Sequence, residues 1–332
     1  MTILRIQICC LLFCASLYIC HGLFCLPEDH AALFIFGDSI FDVGNNNYIN
    51  TTTDFQANFW PYGDTSFKYP SGRPSDGRLI PDFIAEYVKL PLIPPYLQPG
   101  FHQCTDGANF ASAGGGALVE TNQGFVIDLK SQLKYFSEVE RMMKQKVGDE
   151  EARRLLSKAI FLFSIGFNDY FVRLNSNSTK IGQNYVDMVI GNLTSVVKEI
   201  YNKGGRKFGF LNLPPLGCLP VVKALIPPTK DGCVEEVTQF VKLHNEALSE
   251  ALHGLQTQLK GFKYSYIDFY TSLNERIKAP SKYEDGKAVE DKEVALEWAF
   301  QMVNVGSEWK SVQSEARECM NGGWFLNSGS GL

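Results

Sequence analysis

Short apolar segments that alternate with helical ones constrain the fold of this chain more than any other feature. The apolar segments are residues 32–36, 159–165, 207–213 and 262–268. Runs this short, bounded by glycine, proline or polar residues, are typical of parallel strands that are buried on both faces. One segment with amphipathic helical spacing lies between each consecutive pair, at residues 80–88, 185–201 and 237–259. This alternation predicts a doubly wound α/β fold, with a parallel sheet and helices on both of its faces.

The residues that follow the strands are the first candidates for a functional site, because ligands of such sheets gather at the carboxyl ends of the strands. Ser39 follows the first strand and a glycine, and we expect a helix to begin at Ile40 and Phe41. Ser39 is then either an exposed nucleophile or a helix N-cap. Asn168 follows the second strand. Its amide either stabilises an oxyanion or forms a turn with its own backbone.

A cluster of glycines, Gly114 to Gly116, is the third candidate. Glycines let a ligand approach backbone N–H groups closely. A phosphate-binding loop would continue with lysine and then serine or threonine, but Ala117 and Leu118 follow here. The cluster is therefore either a structural turn or a backbone donor to an oxyanion.

Several ordered motifs carry a resemblance to a known family. They are Phe36-Gly37-Asp38-Ser39 with Asp42-x-Gly44-Asn45-Asn46, Asn109-Phe110-Ala111-Ser112, Gly166-x-Asn168-Asp169, Pro61-Tyr62-Gly63, and the segments 72–78 and 204–207. Together they resemble the plant secreted GDSL esterase/lipases of the SGNH hydrolase superfamily. The similarity extends from about residue 32 to residue 283.

The resemblance implies a flavodoxin-like single domain that hydrolyses a small-molecule ester or lipid without a metal or organic cofactor. It implies that Ser39 is the nucleophile. The oxyanion hole would comprise the N–H of Ser39, a glycine N–H and the amide of Asn168. We favour Gly116 over Gly114 for the glycine. Asp38 would position the turn rather than transfer a proton.

The proton acceptor of that family is not recognisable in this sequence. Members carry a C-terminal Asp-x-x-His motif, and no Asp-x-x-His occurs among the 332 residues, whose histidines are His21, His30, His102, His244 and His253. His244 lies on an apolar helical stripe, which indicates a satisfied core histidine, and the others lack a recognisable partner. At residues 325–330, Asn327 and Ser330 occupy the positions of the Asp and the His, but neither can accept a proton near neutral pH as imidazole does.

We therefore expect an ester hydrolase that is catalytically impaired, with a fold that is incomplete at its C-terminus. One alternative is a secreted pseudo-enzyme that binds a lipid or a protein. Another is a mis-spliced product of an active esterase gene, because the family pattern stops abruptly near Tyr283.

The N-terminal residues predict secretion. Arg5 precedes the apolar run 6–20, and Cys20 and Gly22 are small residues near its end, which is typical of a cleaved signal peptide. We expect a signal peptide at residues 1–22, a hydrolase domain at residues 30–283 and a divergent tail of low order at residues 284–332. The mature protein would be extracellular.

Other residues fit that compartment. Cys218 and Cys233 flank a proline-rich loop and predict a disulfide, whereas zinc would require cysteine pairs or a histidine cluster that the sequence lacks. Asn50, Asn177 and Asn192 begin glycosylation triplets. The net charge of -5, without a basic stripe, argues against a nucleic-acid partner. No apolar run after the first is long enough to cross a membrane, and nothing in the sequence sets an oligomeric state.

Overall fold

A computed structural model describes residues 31–102, 104–175, 181–226 and 232–279 of this chain. The described residues contain a five-stranded parallel sheet in the order β2-β1-β3-β4-β5. The strands are β1 (Leu33–Gly37), β2 (Gly107–Asn109), β3 (Ile160–Ser164), β4 (Lys207–Leu211) and β5 (Lys263–Ile267). This is the strand order of flavodoxin-like doubly wound folds. It confirms the predicted fold class.

Eight α-helices connect and follow these strands within the described residues. They are α1 (Ile80–Tyr87), α2 (Leu129–Val147), α3 (Asp149–Lys158), α4 (Phe167–Asn175), α5 (Gln183–Asn202), α6 (Pro220–Leu225), α7 (Glu235–Gln258) and α8 (Phe269–Lys278). Short 3₁₀ turns lie at Asn45–Tyr48, Thr53–Phe55 and Leu216–Cys218. The three predicted helices correspond to α1, α5 and α7, with ends that differ by one or two residues.

The four predicted strands are confirmed, but β2 was missed. Its three residues, Gly107 to Asn109, contain one apolar side chain, so they give no hydrophobic pattern. The strand exists because it pairs with β1 in parallel register, Leu33 with Gly107 and Ile35 with Asn109. β2 matters for the site because the glycine cluster follows it.

The two faces of the sheet are packed by different side chains. On one face phenylalanine rings stack across neighbouring strands in two rows, Phe34, Phe161 and Phe208 in one and Phe36, Phe163 and Phe210 in the other. The opposite face carries buried aliphatic residues, Leu33, Ile35, Ile160 and Leu162. Helices α2, α3, α5 and α7 pack on the aromatic face, and α1 packs on the aliphatic face. Because strand side chains alternate between faces, both faces are apolar, as in a sheet covered by helices on both sides.

The predicted disulfide between Cys218 and Cys233 is present, with the two Cα atoms 4.3 Å apart. Both sulfurs are used in this bond, so neither is available as a zinc ligand. The third described cysteine, Cys104, is buried and forms no disulfide.

Several predictions lie outside the described residues. These are the signal peptide at 1–22, His21, His30, Asn177, the tail at 284–332, and Asn327 and Ser330 within it. Of the sequons that are described, Asn50 and Asn192 are both exposed. In the part of the chain that the structure describes, no helix combines the length and apolarity needed to span a bilayer.

Candidate active site

Two turns meet at the carboxyl edge of the sheet because β1 and β3 are adjacent parallel strands. Gly37, at the end of β1, pairs with Ser164 at the end of β3. The backbone N–H of Asp38 donates to the carbonyl oxygen of Ser164 at 3.1 Å, which joins the first turn to the end of the second strand. Ser39 and Asn168 therefore follow neighbouring strand ends. This is the edge where doubly wound sheets bind ligands.

Ser39 lies in a tight turn and is half-buried. The carbonyl oxygen of Asp38 accepts from the N–H groups of Phe41 at 3.1 Å and of Asp42 at 2.9 Å. No helix begins at Ile40 and Phe41, so that prediction is wrong: the chain makes one turn and then continues to the 3₁₀ turn at Asn45–Tyr48. Among the described residues, none forms a hydrogen bond with the Ser39 hydroxyl. A hydroxyl in this condition is available to a ligand.

The turn before Ser39 is anchored by two other parts of the chain: Ser112, which follows β2, and Gln132 of α2. The amide of Gln132 in α2 accepts from the N–H of Gly37 and donates to its carbonyl oxygen, both at 2.9 Å. The N–H of Ser112 also donates to that carbonyl, at 3.1 Å. A side chain at Gly37 would collide with the backbone carbonyl oxygen of Ser164. Glycine is required there because the two backbones approach so closely.

Asn168 lies in the first turn of α4 and not in an isolated turn formed with its own backbone. Its side chain is buried, and Nδ2 donates to the carbonyl oxygen of Gly115 at 2.9 Å. An amide nitrogen has two protons. One is used to attach Asn168 to the glycine cluster, and the second remains for another acceptor.

Gly114 and Gly116 face different surroundings. A Cβ on Gly114, where φ is +81°, would lie 2.5 Å from the ring of Phe55, whereas a Cβ on Gly116 would lie 2.5 Å from a carboxyl oxygen of Asp169. Within the described segments neither glycine N–H donates a hydrogen bond. Either N–H is chemically able to serve as an oxyanion donor.

Three buried carboxyl groups lie around these turns, and two of them are saturated with donors. Asp42 accepts from the N–H groups of Gly44, Asn45 and Ala113 at 2.7–2.8 Å. Asp169 accepts from the N–H groups of Ala117 and Leu118 and from the hydroxyl of Thr121. These two side chains hold the loops that carry Ser39 and the glycine cluster.

Asp38 differs from both. One carboxyl oxygen, Oδ1, accepts from the N–H of Ile40 at 3.1 Å. The other, Oδ2, is buried and has no hydrogen-bond partner among the described residues. Asp38 is thus a buried carboxyl group beside the nucleophile candidate, and only one of its two oxygens is bonded by a described residue.

Burial changes the titration of all three acids. It raises the pKa of Asp38 to about 7, against the opposing hydrogen bond from Ile40, and the charges of Asp169 and Asp42 raise it further. Burial raises the pKa of Asp42 to about 6, against its three N–H donors. The pKa of Asp169 is also raised by burial, and the hydrogen bond from Thr121 opposes the rise. A carboxylate without solvent is costly unless donors replace the water.

The described histidines do not contact Ser39. His244 is fully buried in α7, and its Nδ1 lies 2.7 Å from the hydroxyl oxygen of Tyr170. Its Nε2 has no partner among the described residues, so the expected core histidine is only half satisfied. Burial lowers the pKa of His244 to about 3, which keeps the ring neutral. His102 and His253 are both exposed.

Some positioning residues were missed at the sequence level. Asp42 lies two residues before Gly44, and an acid in a turn often accepts from the backbone N–H two residues on, so its role had a signal. Gln132 and Thr121 had none, because each acts on a residue far away in sequence. Gln132 is separated from Gly37 by 95 positions, and Thr121 is separated from Asp169 by 48.

Comparison with known proteins identifies a family whose sequences match this chain. The sequence model described as "GDSL-like Lipase/Acylhydrolase" matches residues 33–307. GDSL esterase/lipase 1 of Arabidopsis thaliana is 52% identical over 264 residues, which cover 78% of this chain and 71% of that protein. GDSL esterase/lipase 5 of the same plant is 54% identical over 255 residues, 76% of this chain and 66% of that protein. GDSL lipase of Tanacetum cinerariifolium is 51% identical over 260 residues, with 78% and 70% covered.

Proposed function

The chain belongs to the GDSL-like lipase/acylhydrolase family, a family of ester-hydrolysing enzymes, and from this premise we propose that Ser39 is its nucleophile toward a carboxylic ester or lipid. The observation that carries the proposal is the hydrogen bond from Asn168 to the carbonyl oxygen of Gly115. This bond links the segment after β3 to the glycine cluster, at the edge of the sheet where Ser39 lies. The second amide proton of Asn168 forms no bond with a described residue, and it is a neutral donor suited to a developing oxyanion.

The proposed reaction is acyl transfer through serine. The Ser39 oxygen attacks the ester carbonyl carbon, and its proton goes to a base. The negative charge on the former carbonyl oxygen is stabilised by the N–H groups of Ser39 and Gly116 and by the amide of Asn168. The alcohol leaves with a proton, and water then hydrolyses the acyl-serine in the same way. Removing a single oxyanion donor of this kind costs about 10²–10³ in turnover.

We also propose that this polypeptide turns esters over slowly. Its 332 residues contain no Asp-x-x-His. Of the described histidines, His244 is buried against Tyr170, and His102 and His253 are exposed. In a well-studied serine hydrolase, loss of the histidine alone costs on the order of a million-fold in turnover. Oxyanion donors and binding retain roughly 10³–10⁴ over the water reaction.

The test compares the wild type with Ser39→Ala and Ser157→Ala. Ser157 lies near the end of α3, before β3 begins, and so at the opposite edge of the sheet. We expect hydrolysis of short p-nitrophenyl esters barely above background, and slow covalent labelling by a fluorophosphonate in the wild type and Ser157→Ala but not in Ser39→Ala. Labelling that survives in Ser39→Ala would refute the assignment of Ser39 as the nucleophile. Robust turnover that disappears in Ser39→Ala would refute the impairment alone.

A gain-of-function test separates the two parts of the proposal. Replacing the residues after Tyr283 with a family C-terminal segment that carries Asp-x-x-His supplies a base and leaves Ser39 unchanged. We expect ester turnover to rise by several orders of magnitude, because the base completes the acyl-transfer machinery. A well-folded but inactive graft would count against Ser39. Reading the transcript across Tyr283 tests the mis-splicing alternative.

A second candidate is ligand binding without turnover. It is favoured because no described residue bonds the Ser39 hydroxyl and no described histidine is hydrogen-bonded to it. A non-hydrolysable ester analogue measured by calorimetry would then bind wild type and Ser39→Ala equally, and the wild type would resist fluorophosphonate. The observations favour the hydrolase because Asn168 retains a free donor at the same edge.

Secretion and glycosylation belong to the same proposal. Asn50 and Asn192 are both exposed, as glycan attachment requires. Expression in plant cells should yield protein in the medium, with a mass that falls on enzymatic deglycosylation. Retention inside the cell, or an unchanged mass, would contradict this.

A further inference from the structure

Of the three buried carboxyl groups described around the Ser39 and Asn168 turns, Asp38 has too few hydrogen-bond donors to stabilise a negative charge. Its side chain is fully buried, and only Oδ1 has a partner, the N–H of Ile40. Oδ2 has none among the described residues. By contrast, Asp42 and Asp169 each accept three hydrogen bonds. A buried carboxylate that lacks donors is far less stable than the neutral acid.

The charged groups around Asp38 also oppose ionisation. Asp169 of α4 and Asp42 of the following loop both act on it as negative charges. Arg73 acts favourably on Asp42, and its guanidinium is already bound to Asp82 of α1. From α7, His244 is neutral because burial lowers its pKa. The neighbouring segment of α2 contributes Gln132, which has no charge.

We propose that Asp38 carries a proton in the resting protein and acts as a positioning residue, which shapes the Ser39 turn through Ile40 without placing a negative charge beside the oxyanion. The second part of this inference rests on the proposed hydrolase function. A carboxylate one residue from the nucleophile would repel the developing oxyanion, whereas a neutral acid would not. Other enzymes keep a carboxylic acid neutral in an apolar site for a related purpose.

The first test needs no catalytic activity. Thermal unfolding midpoints of the wild type, Asp38→Asn and Asp38→Ala are measured from pH 4 to pH 8.5. Asn is uncharged and can still accept from Ile40, whereas Ala cannot accept. Asp128→Asn is the matched control, because Asp128 caps α2 outside this cluster.

The sign of the expected effect follows from linkage. The folded protein holds the Asp38 proton up to about pH 7, whereas an unfolded aspartate releases it near its ordinary value of 3.8. The wild type therefore loses stability relative to Asp38→Asn as pH rises from about 4 to about 7, and the difference is then constant. We expect the midpoint of Asp38→Asn to rise by several degrees relative to the wild type across this window. Asp38→Ala should show the same trend from a lower starting midpoint. A difference that does not change with pH would overturn the proposal.

Infrared difference spectra provide an independent measurement. At pH 6 the absorption of a protonated carboxyl group should be present in the wild type and weaker in Asp38→Asn, while Asp128→Asn should match the wild type. An identical band in all three proteins would overturn the inference, even if one variant folded poorly in the thermal experiment.

The second test concerns Ser39. Fluorophosphonate labelling rates are measured from pH 6 to pH 8.5, and the ratio of Asp38→Asn to wild type is plotted against pH. We expect this ratio to rise on the order of tenfold as the wild-type group ionises. A constant ratio would refute the link to the oxyanion. If the fluorophosphonate labels Ser39 in neither protein, the proposed function is refuted. The thermal and infrared tests would still decide whether Asp38 is protonated.

Discussion

The turns after β1 and β3 have similar sequences but differ in how their side chains are used. Each has a glycine at or just after the end of a buried strand, followed within three residues by an acid and another polar residue: Gly37-Asp38-Ser39 and Gly166-Phe167-Asn168-Asp169. In the second turn Asp169 binds three donors and Asn168 binds Gly115. In the first turn the Ser39 hydroxyl and one oxygen of Asp38 have no partner among the described residues.

This difference distinguishes side chains that support the site from side chains that could react. Side chains that are fully bonded define the positions of their neighbours, as preorganised oxyanion donors require. A nucleophile must keep its lone pairs free for the substrate. The second turn therefore works as the rigid frame and the first carries the reactive group.

The largest expected effect comes from exchanging each acid for its amide. Asp169→Asn turns an acceptor into a donor that faces the N–H of Ala117 or Leu118, so the free energy of unfolding at pH 7 should fall by about 3 kcal/mol. Asp38→Asn should leave the free energy of unfolding unchanged or raise it, because Oδ2 has no donor to lose. Urea denaturation of both variants measures the contrast. Equal losses would show that the two acids are used alike.

The next effect removes the support of the first turn. Gln132→Leu deprives the N–H and the carbonyl oxygen of Gly37 of their partner, and should cost about 2 kcal/mol in the free energy of unfolding. Gln98→Leu, at an exposed loop position, serves as the control and should change little. If Gln132→Leu were as stable as the control, the first turn would be held without α2.

A smaller effect tests whether Asp169 needs all three donors. Thr121→Val keeps the shape of the side chain but removes its hydroxyl, and should cost about 1 kcal/mol. Thr257→Val, at an exposed position of α7, is the matched control. Both are measured by urea denaturation. A loss no larger than that of the control would mean that Ala117 and Leu118 suffice.

Ser39→Ala should have the smallest effect on stability. Because the hydroxyl has no partner among the described residues, its removal should change the free energy of unfolding by less than about 0.5 kcal/mol, while fluorophosphonate labelling is abolished. A loss of 1 kcal/mol or more would reveal a structural hydrogen bond of Ser39 and weaken the distinction between the two turns.

Local patterns predicted the strands that have strong apolar runs. The Phe-Ile-Phe triplet at 34–36 and the Phe-Leu-Phe triplet at 161–163 indicated strands buried on both faces, and both were confirmed. β2 and α4 were missed because their identity depends on partners: β2 on pairing with β1, and α4 on the end of β3. The prediction of a helix at Ile40 was wrong. The carbonyl oxygen of Asp38 accepts from the N–H groups of Phe41 and Asp42, which closes a single turn instead.

For the site, the motifs around Ser39 and Asn168 predicted that both residues lie at one edge of the sheet, because parallel strands end on the same side. The two residues follow neighbouring strand ends in the structure. Their roles stay proposals. Asp42 had a local signal, but the different hydrogen bonding of Asp38 and Asp169 was not predictable. Both are acids in turn segments, and the donors to Asp169 lie about 50 positions away in sequence.

The sequence by itself determined that a parallel sheet forms and which residues follow its strands, because alternation and glycine placement act over a few residues. Only the tertiary structure decided which side chains are bonded and which are free. The donors that bond Asp169 lie about 50 positions away in sequence, and Gln132, whose amide bonds Gly37, lies 95 positions away. Hydrogen bonds over such distances exist only after the strands and helices have packed, so their presence or absence at Asp38 has no local signal.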